Sequence, residues 1–181
     1  MKTEKHGFYK VLYGSVAVIA LFLVQVFAGK MGGRVADSFS YDLFDPDHLF
    51  AWLSVHHIVM MLIALAVMAV LWKSLQVDFG FKLGDRKKGM RYVWVFTAAL
   101  AGSALVYHTL MFIGNRLPTY DFPLNTRNVL GTLGFQLLLS GTSEEILFRA
   151  LPITVLVYAF GKSIHMKWDI TLEIFLASLL F

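Results

Sequence analysis

Two adjacent carboxylates and a guanidinium four residues on, Glu144, Glu145 and Arg149, stand inside an apolar run from about Val129 to Phe160. Side chains of these types can move protons. A charged group at the centre of a bilayer costs at least about 2.5–3.5 kcal/mol on insertion scales. Three of them in one apolar segment therefore call for partners, water or a function. Successive helical residues are turned by about 100°. Glu145 and Arg149 thus share a face and can pair, while Glu144 is rotated away and has no cation nearby in sequence. Two neighbouring carboxylates resist ionising together. One of them, held in a partly dry cavity, is suited to take a proton from water as a general base.

The elements that must position these groups are read from the surrounding pattern. Gly141, Phe148 and Pro152 fall in the arc of the charged residues, and Leu139, Ile146, Leu147 and Ala150 cover the other side. The helix is expected to have one polar, small-residue face and one greasy face. Pro152 lacks an N–H and its ring clashes with the carbonyl of Phe148, which predicts a kink or a loosened turn beside the charges.

The chain of 181 residues is 57% hydrophobic and has a mean hydropathy of +0.65. Such apolar content lies far above that of a soluble domain. The expected fold class is all-α, a polytopic transmembrane helix bundle forming a single membrane domain over residues 1–181. The absence of cysteine excludes disulfides, thiolate zinc sites and a cysteine nucleophile. The net charge of +4 comes mostly from Lys and Arg in loops. It is assigned to membrane topology and not to nucleic acid.

Four full helices and a partial fifth are expected, at about 11–29, 50–72, 92–114, 129–160 and 169–181. Lys2, Lys5 and Lys10 before the first apolar run resemble the flank of a signal peptide. That run is about 19 residues, long enough to span, and Val26-Phe27-Ala28-Gly29 is a poor cleavage site, so the helix is read as retained. Lys30–Leu49 reads as an irregular interfacial loop, with Asp37, Asp42, Asp45, Asp47 and Pro46. The segments before the first helix and between the second and third hold three and six Lys/Arg. The other two connections hold two each. The positive-inside rule then puts the N-terminus and the Lys73–Arg91 loop in the cytoplasm, in a multi-pass protein of the cell membrane. The fifth segment, about 13 residues long, is too short to cross roughly 30 Å of hydrocarbon, and the sequence is expected to be a truncated piece of a longer protein.

Ser143-Glu144-Glu145-Ile146-Leu147-Phe148-Arg149-Ala150, on a late helix of such a protein, resembles the first motif of the CPBP intramembrane metalloprotease family. That family includes the type II CAAX prenyl endopeptidases and relatives linked to bacteriocin processing and self-immunity. The motif is Glu-Glu-x-x-x-Arg, often with Phe before the Arg, as Phe148 and Arg149 stand here. Gly80-Phe81-Lys82-Leu83-Gly84 is weakly similar as well. The resemblance implies that Glu144 polarises water for attack on a peptide carbonyl, that Glu145 supports it, and that Arg149 orients or neutralises the pair. It also implies a divalent metal, such as zinc, or a direct Glu/His pair in the full-length protein; this chain alone supports no metal. The substrate implied is a membrane-associated or lipidated peptide, cut near the cytoplasmic side. The family's second motif, Phe-x-x-x-His, and its third are missing. Leu176–Phe181 is similar to the approach to the second, with Phe181 as its Phe. The chain by itself is expected to lack peptidase activity.

Blander readings stand beside these. His56 and His57 cannot form an i, i+4 metal pair and read as interfacial, although Asp45, Asp47 and His48 lie near them in the sequence pattern and make a metal site conceivable. His108, beside Tyr107, reads as a satisfied internal histidine or as a cavity lining. Gln136, Ser140 and Thr142 suit interhelical hydrogen bonds, and Asp169 and Glu173 read as interfacial. Two rival functions remain: a non-catalytic self-immunity or membrane-binding protein of the same fold, and a transporter or proton-relay segment.

Overall fold

The computed structural model describes residues 2–81, 84–166 and 170–180, with side chains from residue 11 onward. Lys82, Leu83, Asp169 and Phe181 lie outside the described residues. The fold is all-α. Its elements are α1 (Lys2–Ala36), α2 (Ala51–Leu75), α3 (Arg86–Ile113), α4 (Thr126–Gly134), π1 (Phe135–Ser140), α5 (Gly141–Glu144), π2 (Glu145–Ala150), α6 (Leu151–Phe160) and α7 (Leu172–Leu180). Val11–Ala36, Ala51–Leu75 and Arg86–Ile113 are each long and apolar enough to cross a membrane.

The chain divides into two compact units, Met1–Gly80 with Asn125–Phe181, and Phe81–Leu124. The second unit is built on α3. Its N-cap is Asp85, whose carboxylate accepts from the backbone N–H of Lys87 and Lys88 at 3.0 and 3.1 Å. Among the described residues α3 buries none of its own.

The first unit carries the acids. Elements α4 to α6 follow one another without interruption, and the residues at every junction keep right-handed helical dihedrals. Residues 126–160 are therefore one helix, about 50 Å long at 1.5 Å per residue, with two wide π stretches in it. The expected break near Pro152 is instead a widening. Leu151 N–H reaches back five residues to the carbonyl of Ile146, and Pro152, which has no N–H to give, follows directly at the start of α6. The wider turn relieves the clash that an α-helical proline has with the carbonyl four residues back.

The core lies where α1, α2 and this long helix meet. Leu21, Ala28, Met60, Ala64, Met68, Leu147, Leu151 and Leu156 form it. On α1 the buried line runs through Leu21, Gln25, Ala28 and Ala36, the three- and four-residue spacing of one helix face. Gly32 belongs to that line. A Cβ there would sit 2.9 Å from both the carbonyl oxygen and Nδ1 of His56, so only hydrogen lets α1 and α2 approach this closely. This packing carries α1 on to Ala36, past the expected end at Gly29, despite the low helix propensity of glycine. Lys30 and Arg34, expected in a loop, consequently lie in the helix.

The ends of the helices are fixed by carboxylates. Asp45 is fully buried and accepts from the N–H groups of Leu49, Phe50 and Ala51 at 2.9, 2.7 and 2.7 Å. These are among the donors that a helix start leaves orphaned. Burial pushes the Asp45 pKa up, but the three N–H donors and nearby His48 outweigh it and hold the carboxyl below its ordinary value. Asp47 accepts from Asn128 Nδ2 at 2.9 Å and lies 3.7 Å from Arg127 Nη2, tying the loop before α2 to the start of α4.

After Gly161, in left-handed backbone (φ 72°), the chain forms a turn closed by one antiparallel bridge between His165 and Thr171. The fifth helix starts at Leu172 and not at Asp169. Glu173, in the first turn of that helix, is buried. Its carboxylate accepts from the Ser163 hydroxyl and, at 3.3 Å, from the N–H of Ile164. Asp169, its expected neighbour on that face, is outside the described residues.

Candidate functional site

The two acids receive different partners. Arg149 Nη1 donates to Glu145 Oε1 at 2.5 Å, the i, i+4 pair expected of one helix face. The Ser140 hydroxyl, one turn before, donates to Glu144 Oε1 at 3.1 Å. Glu144 thus has a neutral hydrogen-bond partner and not the vacancy its sequence surroundings suggested. The π stretches on either side of α5 set this geometry, because each changes the angular step along the helix and re-aims the residues that follow.

The Glu145 and Arg149 face of the long helix turns outward in this unit. Ile146 and Leu147 are buried against the core, whereas the Glu145 and Arg149 side chains are 58% and 68% exposed. Ile146 and Leu147 pack into the cluster that α1 and α2 share with this helix. Glu144, between the two faces, is half-buried.

Next to Glu144 the structure brings in a residue with no signal in sequence spacing. Ser143, 1% exposed, donates its hydroxyl to the Ser140 carbonyl at 3.0 Å. Its oxygen lies 2.6 Å from Nδ1 of His57 on α2. One hydroxyl has one proton. The assignment that satisfies both contacts has His57 protonated on Nδ1 and donating to Ser143. The His57 ring is held edge-on against Phe135, with centroids 5.1 Å apart. It lies within electrostatic reach of His56 and Glu144. His56 stacks on Trp52 at 5.0 Å, and Trp52 Nε1–H donates to Asp37 at 2.8 Å. Both histidines are half-buried between helices, in the first two turns of α2. The interhelical bond is made by Ser143, while Ser140 bonds within its own helix and Gln136 and Thr142 are exposed.

Depth follows from position in α2. His57 is the seventh residue of Ala51–Leu75, about 9 Å from that helix's start and about 27 Å from its end. The cluster therefore sits toward the end of the unit that carries the 37–50 loop. With the N-terminus cytoplasmic, as the Lys/Arg counts lead one to expect, a site at this end would lie on the outer side; cleavage near the cytoplasmic side would need the opposite orientation.

Among the described residues no group of three His, Asp or Glu side chains converges. Asp45 is committed to backbone N–H groups and Asp47 to Asn128. His48 lies 3.6 Å from Asp42. Beside Glu144, His57 already uses Nδ1 on Ser143, and Glu145 is paired. These residues do not fit a metal-ligand set by themselves. His108, in the other unit, places Nδ1 2.8 Å from the carbonyl of Ala104 in its own helix, the satisfied state.

A cavity of about 180 Å³ opens next to the ion pair, lined by Phe148, Arg149, Ile153, Ile174, Ala177 and Ser178. It is an apolar slot between the long helix and α7 with one guanidinium at its wall. In comparisons with known proteins, no family model, no curated sequence and no solved structure matches the chain.

Proposed function

We propose that this chain carries the carboxylate helix of an intramembrane endopeptidase of the CAAX-protease type, with Glu144 as the general base. The observation that supports this reading is the division of labour between adjacent acids. Glu145 is neutralised by Arg149 at 2.5 Å, and Glu144 keeps a neutral hydroxyl partner. Of the two, Glu144 is the carboxylate left able to accept a proton.

In the proposed reaction Glu144 takes a proton from water, the resulting hydroxide adds to the peptide carbonyl carbon, and the tetrahedral intermediate expels the amine as the C–N bond breaks. The proton held on Glu144 then passes to the leaving nitrogen. Ser140 orients the carboxylate, and the Glu145–Arg149 pair sets the charge beside it. The apolar slot beside Arg149 suits a greasy substrate segment, in keeping with a membrane-associated or lipidated peptide.

The test uses the full-length protein in lipid with lipidated and unlipidated C-terminal peptides. Glu144→Gln should cut kcat by about 10²–10⁴-fold and leave the melting transition in place. Retained cleavage in that variant removes the general-base role. An immunity phenotype that survives Glu144→Ala, with no cleavage by the parent, favours the non-catalytic rival. Proton flux in vesicles without cleavage favours the relay.

A further inference from the structure

The contact between α2 and the acid-bearing helix is the one polar link in this region that crosses 86 residues of sequence. It ends one residue from Glu144. We infer that His57 is a positioning residue for Glu144, acting through Ser143 and Ser140; the inference rests on the proposed role of Glu144.

The structure supplies each link. His57 Nδ1 holds Ser143 Oγ at 2.6 Å. Ser143 in turn holds the Ser140 carbonyl at 3.0 Å, and the Ser140 hydroxyl holds Glu144 at 3.1 Å. Ser140 ends π1 and Ser143 lies in the four-residue α5, between two wide stretches. The π stretches on both sides of α5 change the angular step of the helix, and the hydrogen bond from α2 ties the segment between them to a second helix. The His57 ring has edge contacts with Phe135 of the same long helix, with centroids 5.1 Å apart, and with His56, at 5.5 Å, which restrict its rotation. His57 therefore acts on the direction of Glu144 and touches no substrate.

This role separates two conservative replacements. The side-chain amide of asparagine places an N–H close to where His57 Nδ1–H lies, whereas that of glutamine places it near Nε2. His57→Asn should preserve the link and His57→Gln should lose it. The readout is the carboxylate infrared band of Glu144 in the full chain reconstituted in lipid, isolated by subtracting the Glu144→Gln spectrum. The band should be displaced in His57→Gln and in Ser143→Ala and return to its parental position in His57→Asn. In the cleavage assay kcat should fall roughly 10- to 100-fold in His57→Gln and recover in His57→Asn, with KM unchanged.

Ser143→Ala removes the same contact without altering α2, so the test stands even where the glutamine variant fails to fold. An unmoved band in Ser143→Ala, or equal behaviour of the asparagine and glutamine variants, overturns the inference. Band shifts in the expected pattern in a protein that cleaves nothing uphold the positioning role while removing the endopeptidase reading.

Discussion

Replacing Arg149 by leucine tests what surrounds the ion pair. The pair is short, with N and O 2.5 Å apart, yet its side chains are 58% and 68% exposed in the unit that carries them. Its stability contribution is therefore decided by the medium on that face. In water an i, i+4 pair of this kind contributes about 0.3–0.5 kcal/mol. In a bilayer, or against another protein surface, removing the cation leaves an uncompensated carboxylate, at a cost of about 3–5 kcal/mol. Arg149 is the 24th of the 35 residues in 126–160, far from both ends of a helix about 50 Å long, and the proposed membrane-embedded reading puts the pair at hydrocarbon depth. The expected loss is thus about 3 kcal/mol or more. Reversible unfolding in mixed micelles would measure it, for Arg149→Leu, Glu145→Leu and the double variant. The double variant should be more stable than either single one, because it removes both charges together. An Arg149→Leu protein within about 0.5 kcal/mol of the parent, at low and at high salt alike, would mean that the pair faces bulk water, and the membrane placement of the acids would fall with it.

Two further outcomes concern the frame around the site. Asp45→Ala strips three N–H groups of their acceptor and should destabilise the fold by about 2–4 kcal/mol, measured by the same unfolding titration. Because the folded-state pKa of Asp45 is lowered, its contribution is fully present above the unfolded value of about 3.9 and is lost as pH falls through the lower folded value; Asp45→Asn should flatten the acid limb of a stability–pH curve below about pH 4. Gly32→Ala puts a methyl group 2.9 Å from the His56 carbonyl and should cost about 1–3 kcal/mol, with a matching drop in cross-linking between cysteines placed on α1 and α2. An unchanged melting curve would show that the two helices do not approach this closely.

What could be read from the sequence is local. The Glu145–Arg149 pair follows from the helical repeat alone, and so does the reach of Ser140 to Glu144, four residues on, which the same rule could have found. The disturbance at Pro152 is equally a property of one residue and its predecessors, although its form, a π stretch, depends on the neighbours that the helix packs against. The all-α, membrane-crossing character follows from composition and the lengths of the apolar runs. The tertiary structure alone decided which face of the long helix turns inward, since that depends on which surfaces α1 and α2 offer to Ile146 and Leu147. It likewise decided that His57 meets Ser143 and that Glu173 is buried beneath Ser163. A hydrogen bond between residues 57 and 143 leaves no period in the chain, because each side chain is placed by its own helix and the contact exists only once the two helices dock.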